Sequence, residues 1–524
     1  MSFIRGNDRQ QSVLFPEVLD DYIRADNPVR FIDAYVDSLD MAELGFTHAR
    51  ASETGRPPYD PADLSRLYIY GYMNKIRSSR QLESATYRNV EILWLLGKLH
   101  PDFKTIADFR KDNGEALKKL CREFTLLCKK LDLFGRELVA IDGSKFSAVN
   151  HNSRAYTREK LQQMVEGIDE KIRAYFARLE GEDEREDKTA TVTTPGELKD
   201  HIARLETHKA DLKRLKEVLE DTEQSQICLT DPDSRLMRTA GGGRDVCYNV
   251  QIVVDEKHKL IVEHDVTNDT NDLNQLAGMA IKAQETLGVE RLEVTADAGY
   301  YKETEIKHCE DQQISCYVLE PEKSHNQRIG LYTDKDFRYD PEHDCYVCPA
   351  NHQLTYRSQG IKGRKETMVY EGVVCKTCAL RSRCTRSRYN NRRIYRWIDE
   401  RVIEQMRRRM VEHPEKVKKR KELAEHPFGT IKRSMNQGYF LTRGKAKVAV
   451  EVSLSVLAYN IRRVLNILGV AELINALCRL RKTGSFPLFY ARVCCQRVRE
   501  QNLGLWLGCN WKALPLTLTS DRVH

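Results

Sequence analysis

The chain has 524 residues, 41% of them hydrophobic, enough for several domains with a sizeable core and too many for global disorder. No apolar run approaches the length of a membrane span and the N-terminus lacks a signal-peptide pattern, so a soluble, cytoplasmic protein with no membrane partner is expected. The net charge of +8 matters less than its distribution, and fifteen cysteines dispersed without a secretory signal read as reduced thiols and a metal site rather than disulfides.

Residues 1–135 read as an all-helical domain. Asp60-Pro61 is a helix start, and Leu64, Leu67, Tyr68, Tyr72 and Met73 mark its buried face. Ser78 with Gln81 spells a capping box that opens a helix to about Arg88. Thr105 with Asp108 repeats the signature and predicts one long helix through Asn113 to Leu131. Such short, tightly connected helices suit a helix-turn-helix-like module in which Lys104, Arg110 and Lys111 approach DNA, and equally a plain helical scaffold.

Residues 136–470 read as an α/β domain with two insertions. The run Leu138-Val139-Ala140-Ile141 is a strand ending on Asp142. The first insertion, 156–222, carries two helical stripes: Leu161, Met164, Ile168, Ile172, Phe176 and Leu179, then Leu198, Ile202, Leu205, Leu212, Leu215 and Leu219. They predict an antiparallel helical hairpin packed on itself, with a dimerisation arm as its functional alternative. Gly241-Gly242-Gly243 precedes a strand and lacks the Lys-Ser/Thr continuation of a phosphate loop, so it is a turn. Cys247–Val254 and Lys259–Thr267 form a hairpin through Asp255-Glu256-Lys257-His258. A helix runs from about Asp272 to Gly288, with Leu273, Leu276, Met279, Ala280 and Ala283 at helical spacing. A strand then ends on Asp297, and Ile314–Leu319 is the fifth.

The second insertion, 322–396, contains Cys345-x2-Cys348, Cys375-x2-Cys378 and a fifth thiol, Cys384. Paired CxxC units make a tetrahedral structural Zn²⁺ ribbon, with Cys378 and Cys384 competing for the fourth position. Around them Arg381, Arg383, Arg386, Arg388, Arg392, Arg393 and Arg396 interleave with Tyr389, Tyr395 and Trp397, a patch suited to a phosphate backbone. A second basic cluster, Arg407-Arg408-Arg409 and Lys416 through Lys421, leads to Glu425 in a helical stretch. Residues 471–524 form an extension of unassigned role, in which Leu505–Leu518 is irregular and apolar.

Asp142, Asp297 and Glu425 are two strand-end aspartates and a helix glutamate. Taken singly, an aspartate at a strand end is a turn or cap residue. Together the three are the minimum set for two divalent ions on a phosphodiester, because Mg²⁺ prefers carboxylate and water oxygens.

Ala140-Ile141-Asp142-Gly143-Ser144-Lys145, then Ala296-Asp297-Ala298-Gly299-Tyr300, then Glu425-His426-Pro427-Phe428-Gly429 followed by Lys432 resemble the triad motifs of bacterial insertion-sequence transposases of the DDE type. Tyr248-Asn249-Val250-Gln251 looks like that family's second strand and Asn460-Ile461-Arg462-Arg463 like the end of its C-terminal helix; the likeness runs from about Val13 to residue 470. It implies an RNase H-like mixed-sheet core behind the helical N-terminal domain. It also implies two Mg²⁺ or Mn²⁺ ions on Asp142, Asp297 and Glu425, double-stranded DNA as partner and substrate, and a homodimer on that DNA in the bacterial nucleoid. DNA cleavage at element ends and strand transfer would follow. Lys432 would position DNA. Lys421 stands where many relatives have arginine, and Lys418 departs from a tyrosine three places before it. Two alternatives stay open: an RNase H-like nuclease without strand transfer, and an inactive, repressor-like DNA binder.

Overall fold

The computed structural model describes residues 18–50, 57–183, 195–221, 225–239, 241–321, 329–363, 365–387 and 389–482. Arg388, the hairpin connection at 184–194 and the tail with Leu505–Leu518 lie outside them, as do the side chains of Leu179 and Leu198. The architecture is mixed α/β. No helix among the described residues is long and apolar enough to cross a membrane.

Strand β1 (Leu138–Ser147) lies near the middle of the main sheet. After it, β2 (Ala155–Thr157) and β3 (Gln226–Cys228) pair antiparallel at the base of two long helices, Arg158–Asp183 and Pro195–Asp221. Those helices bury Leu161, Val165, Ile168, Leu212 and Leu219 against each other, a small core separate from the main one that follows the predicted stripes except at Phe176, which is exposed. The sheet continues with β4 (Arg235–Arg238), β5 (Arg244–Asp255), β6 (Ile261–Thr267), β7 (Leu292–Ala296) and β8 (Ile314–Val318). Their order is β4-β5-β1-β7-β8, and β6 takes over the β5 edge where β4 leaves off. Pairing is antiparallel from β1 to β5 and β6, and parallel from β1 through β7 to β8. From Val246 to Val254 every residue of β5 is buried, the mark of a strand covered on both faces.

Helices supply those covers. The helix Leu276–Leu287 begins later than its apolar spacing predicts and ends on Gly288, whose left-handed φ of 67° closes it. On the other face lies the helix Pro414–Gly429, whose Leu423 and Ala424 pack on Ala140, while Val139 and Ile141 alternate into the main core. The helix Lys445–Leu468 is buried along most of its length. It stands between β6 and the N-terminal helices Pro61–Met73 and Gly114–Lys130. Asn460 makes both its amide bonds to Ile261 on β6, at 2.9 and 2.8 Å, so a conspicuous motif residue is a pin between helix and sheet.

The N-terminal region is helical, with two corrections. Asp60 caps its helix as predicted, accepting from the Ala62 amide at 2.8 Å, but Ser78 makes no side-chain cap bond. The Thr105 start gives way to Asp102, which accepts from the Thr105 amide at 2.8 Å. The long helix also divides into Phe103–Asp112 and Gly114–Lys130. Asn113 divides it, because its buried Oδ1 accepts from both the backbone and the hydroxyl of Thr47. The second insertion is a five-stranded antiparallel sheet, β9 (Arg338–Asp340), β10 (Cys345–Val347), β11 (Gln353–Lys362), β12 (Lys365–Gly372) and β13 (Arg393–Trp397), built around Phe337, Tyr346, Leu354, Tyr370 and Ile394.

Candidate active site

Parallel pairing of β1 with β7 sets Leu138 opposite Glu293, Val139 opposite Val294 and Ala140 opposite Thr295. Two residues beyond that pairing, Asp142 within β1 and Asp297 just past the end of β7 come close enough for their charges to interact. Each carboxylate also accepts from a nearby amide: Asp142, in mid-strand, from Gly143 at 3.0 Å, and Asp297, capping the turn Ala298–Tyr300, from Gly299 at 2.8 Å. Burial raises the Asp142 carboxyl to about 6; Arg420 opposes that rise and the charges of Asp297 and Asp272 add to it. The Arg420 guanidinium lies 3.9 Å from Asp142.

Arg420 belongs to the helix that carries Glu425. Ala424 faces the sheet, and Phe428 packs on Phe146 of β1 with ring centroids 6.0 Å apart. Glu425 stands exposed on the flank, as does Lys421, and among the described residues no hydrogen bond or ion pair joins Glu425 to either aspartate. Two carboxylates are therefore brought together, with the third on the adjoining helix. Among the described residues, no three His, Cys, Asp or Glu side chains converge closely enough to hold a metal ion. The donor set itself fits a hard divalent cation, being all oxygen and crowded with like charge.

Lys432 differs from expectation. Its ammonium donates to Ser144 Oγ and to the Lys145 carbonyl, both at 2.6 Å, and sits 4.4 Å from the centre of the Phe146 ring. Burial lowers its pKa. Arg110 likewise turns inward, 5.7 Å from the Tyr68 ring centre, while Lys104 stays exposed.

Much of the basic density is also spent internally. Arg392 bonds Asp334 and the Cys384 carbonyl, Arg393 bonds Glu371, and Arg396 bonds Glu404. Arg407 and Arg409 reach Glu320 and Glu310, and Lys416 and Lys419 reach Glu293 and Glu256. Arg383, Arg386, Arg408, Lys418 and Lys421 remain on the surface. The sequence counts positive charges along one segment; except for Glu404, the carboxylates that meet them come from distant ones.

Four of the five predicted thiols, Cys348, Cys375, Cys378 and Cys384, line one cavity. Cys345 does not line it: it is buried within β10, between Asp340 and Thr355. The His352 amide donates to Cys348 Sγ at 3.3 Å, and Arg381 and Arg392 brace the surrounding loops through the carbonyls of Cys375 and Cys384. Gly372 admits Cys375, whose Sγ would lie 2.6 Å from any Cβ there.

Two family models match this chain, a transposase domain (DUF772) over residues 17–112 and a transposase DDE domain over residues 347–465. The chain is a DDE-type transposase. The second match takes in the four cavity cysteines and the helix of Glu425, while both aspartates fall outside the two matches. No curated protein matches the transposase. Among solved structures, a piggyBac transposase synaptic complex with hairpin DNA is 8% identical, covering 92% of this chain and 86% of that one at a TM-score of 0.29, too weak a likeness to carry an argument.

Sequence reasoning missed Arg420 and Asp272, both beside Asp142. Arg420 was hidden in a basic run. Asp272 sits at the predicted start of a helix that begins at Leu276.

Proposed function

We propose that Asp142, Asp297 and Glu425 form the catalytic triad of this transposase on an RNase H-like core, cutting double-stranded DNA at the element ends and joining the freed 3′-hydroxyl to target DNA. The observation that carries this reading is the parallel pairing of β1 with β7 that leaves Asp142 and Asp297 close to each other under the helix of Glu425. The antiparallel β1, β5 and β6 followed by parallel β7 and β8 support the core assignment.

Two Mg²⁺ or Mn²⁺ ions bound to these carboxylates would supply Lewis-acid activation of the attacking oxygen and stabilisation of the leaving 3′-oxygen. The chain supplies the rest. Asp142 presents its oxygens from the middle of β1, which runs on past the predicted strand end, and Asp297 from just beyond the end of β7, while Arg420 offers positive charge beside Asp142 to an incoming phosphate. Glu425, exposed on the adjoining helix, completes the set by turning its side chain toward the strands. Exposed Lys421, Lys418 and Arg408, with Arg383 and Lys104 further out, furnish sequence-tolerant backbone contacts. Two copies of the chain would hold the two element ends in the nucleoid.

The test is a Mg²⁺-dependent cleavage and joining assay on the DNA flanking the encoding gene, comparing the intact chain with Asp297→Asn. End-specific nicking and joining by the intact chain alone is expected. Robust cleavage by the variant would defeat the assignment, nicking without joining would indicate a nuclease, and binding without cutting by both proteins a repressor-like copy.

We also propose that one structural Zn²⁺ would draw together Cys348, Cys375, Cys378 and Cys384, which line one cavity of the five-stranded insertion without converging to ligating distance. Soft thiolates suit zinc, and four of them close the site against catalysis. Purified protein should contain one equivalent of zinc; Cys384→Ser should lose it and Cys345→Ser keep it. Equal retention in both variants would remove Cys384 from the site.

A further inference from the structure

Asn249 and Gln251 lie in the middle of β5, fully buried, opposite Lys145 and Gly143 of β1. By strand alternation these four share the face of the sheet opposite Asp142. Buried amides need partners, and both donate to one atom: Asn249 Nδ2 is 2.6 Å and Gln251 Nε2 2.8 Å from Asp272 Oδ1. Lys145 Nζ approaches the same oxygen at 3.4 Å. Gln251 also donates to Asn249 Oδ1 at 3.0 Å and accepts from the Tyr300 hydroxyl. Tyr300 ends the turn that Asp297 caps, and Gly143 directly follows Asp142. The network needs that glycine. A Cβ at residue 143 would lie 2.4 Å from Gln251 Nε2, 2.8 Å from Asp272 Oδ1 and 3.0 Å from the Tyr300 hydroxyl.

The main chain alone does not tie the two aspartates together. The β1–β7 ladder stops at Ala140 and Thr295, and both Asp142 and Asp297 lie beyond it. Side chains take over there, and they converge on Asp272. We infer that Asp272 is a positioning residue for the DNA chemistry: by gathering Lys145, Asn249, Gln251 and, through Gln251, Tyr300, it fixes the separation of Asp142 and Asp297. A carboxylate suits the role because an ionised acceptor holds several donors through charge-assisted bonds. The inference rests on the reading that these two aspartates bind divalent metal.

The experiment is a Mn²⁺ titration of the full chain followed by electron paramagnetic resonance, with Asp142→Asn, Asp272→Asn and Tyr300→Phe beside the intact protein and a melting curve for each. Partners that orient metal ligands typically contribute 10- to 100-fold in affinity, so Asp272→Asn should weaken Mn²⁺ binding by roughly that factor while end-DNA binding without metal is unchanged. Tyr300→Phe should shift affinity in the same direction by less. A purely structural network would lower the melting temperature and leave the affinity of the folded protein alone, and intact Mn²⁺ affinity in both variants overturns the inference. Should Asp272→Asn fail to fold, Tyr300→Phe decides alone, since it removes one hydroxyl from a ring that stays buried. Mn²⁺ binding indifferent to Asp142→Asn would overturn the metal-site reading and this inference with it.

Discussion

Lys432 shows how a motif residue changes its surroundings when the backbone changes phase. Seven residues after Glu425, an ideal helix would set both on one side. Pro427, however, offers no N–H to the Leu423 carbonyl, and the helix ends at Gly429 in a wide π turn, Thr430–Ser434. That turn swings Lys432 under the helix onto Ser144 and the Lys145 carbonyl. Lys432→Met keeps the aliphatic stem and removes both donors. It should cost about 1–3 kcal/mol in urea unfolding, the usual penalty of stranded buried polar groups. A DNA-facing lysine would instead leave stability unchanged and weaken end-DNA binding, and titrations of both properties separate the two roles. The motif words located Asp142, Asp297 and Glu425 on the expected elements, but not which side chains converge. Arg420 and Asp272 were illegible because their importance comes from neighbours remote in sequence.

Elements were legible where the physics is local. β5, β6, β7 and β8 fall close to their predicted bounds because apolar, β-branched runs between turn residues have few other ways to fold. The paired stripes of the first insertion likewise anticipate two helices with their own small core. Ser78 stands at the N-cap of Ser79–Thr86 as predicted but makes no side-chain cap bond, because such a bond is decided by which donor lies in reach. The break at Asn113 was invisible for a related reason, since its partner Thr47 is 66 residues away. Asn113→Ala removes the acceptor that holds the exposed Thr47 and should cost about 0.5–1.5 kcal/mol, the net worth of a hydrogen bond, measured by urea denaturation. A neutral result would mean that the break is set by the following glycine instead. The paired CxxC spacing groups five thiols, but it does not reveal that Cys345, held within β10, stands apart from the cavity that the other four line.

At the scale of the whole molecule, one continuous core joins the N-terminal helices to the main sheet through the helix Lys445–Leu468. Charge is buried in that junction too. Arg77, from the N-terminal region, lies 3.8 Å from Glu451 and donates to the carbonyls of Tyr439 and Asn436. Glu451 in turn accepts from the Thr442 amide at 2.6 Å. On the sheet side, His264 of β6 shares a 2.8 Å hydrogen bond with Ser453. Burial pushes its imidazole down to about 4, Asp265 resisting and Lys118 and Lys282 assisting. The unfolded chain therefore binds a proton near pH 6.5 that the folded chain refuses until about pH 4. Its contribution is fully present above pH 6.5 and is lost as pH falls toward 4, by up to about 3 kcal/mol. Asp33 and Asp142, both raised to about 6, act in the opposite sense over much of that range. The difference in urea stability between the intact chain and His264→Gln isolates the histidine and should shrink on acidification; a flat difference from pH 7 to 4 would contradict its refusal of the proton.

The placement of Lys445–Leu468 has a consequence for how the protein is made. A ribosome emits the N-terminal helices first, the strands bearing Asp142 and Asp297 next, and the segment that wedges them together near the end. Until that last helix emerges, the apolar faces of Pro61–Met73, Gly114–Lys130 and β6 have no partner. Nascent chains therefore hold the two halves open until that helix is made, and chains released before it never acquire the wedge. Emergence of one helix is thus a checkpoint on the assembly of the whole core.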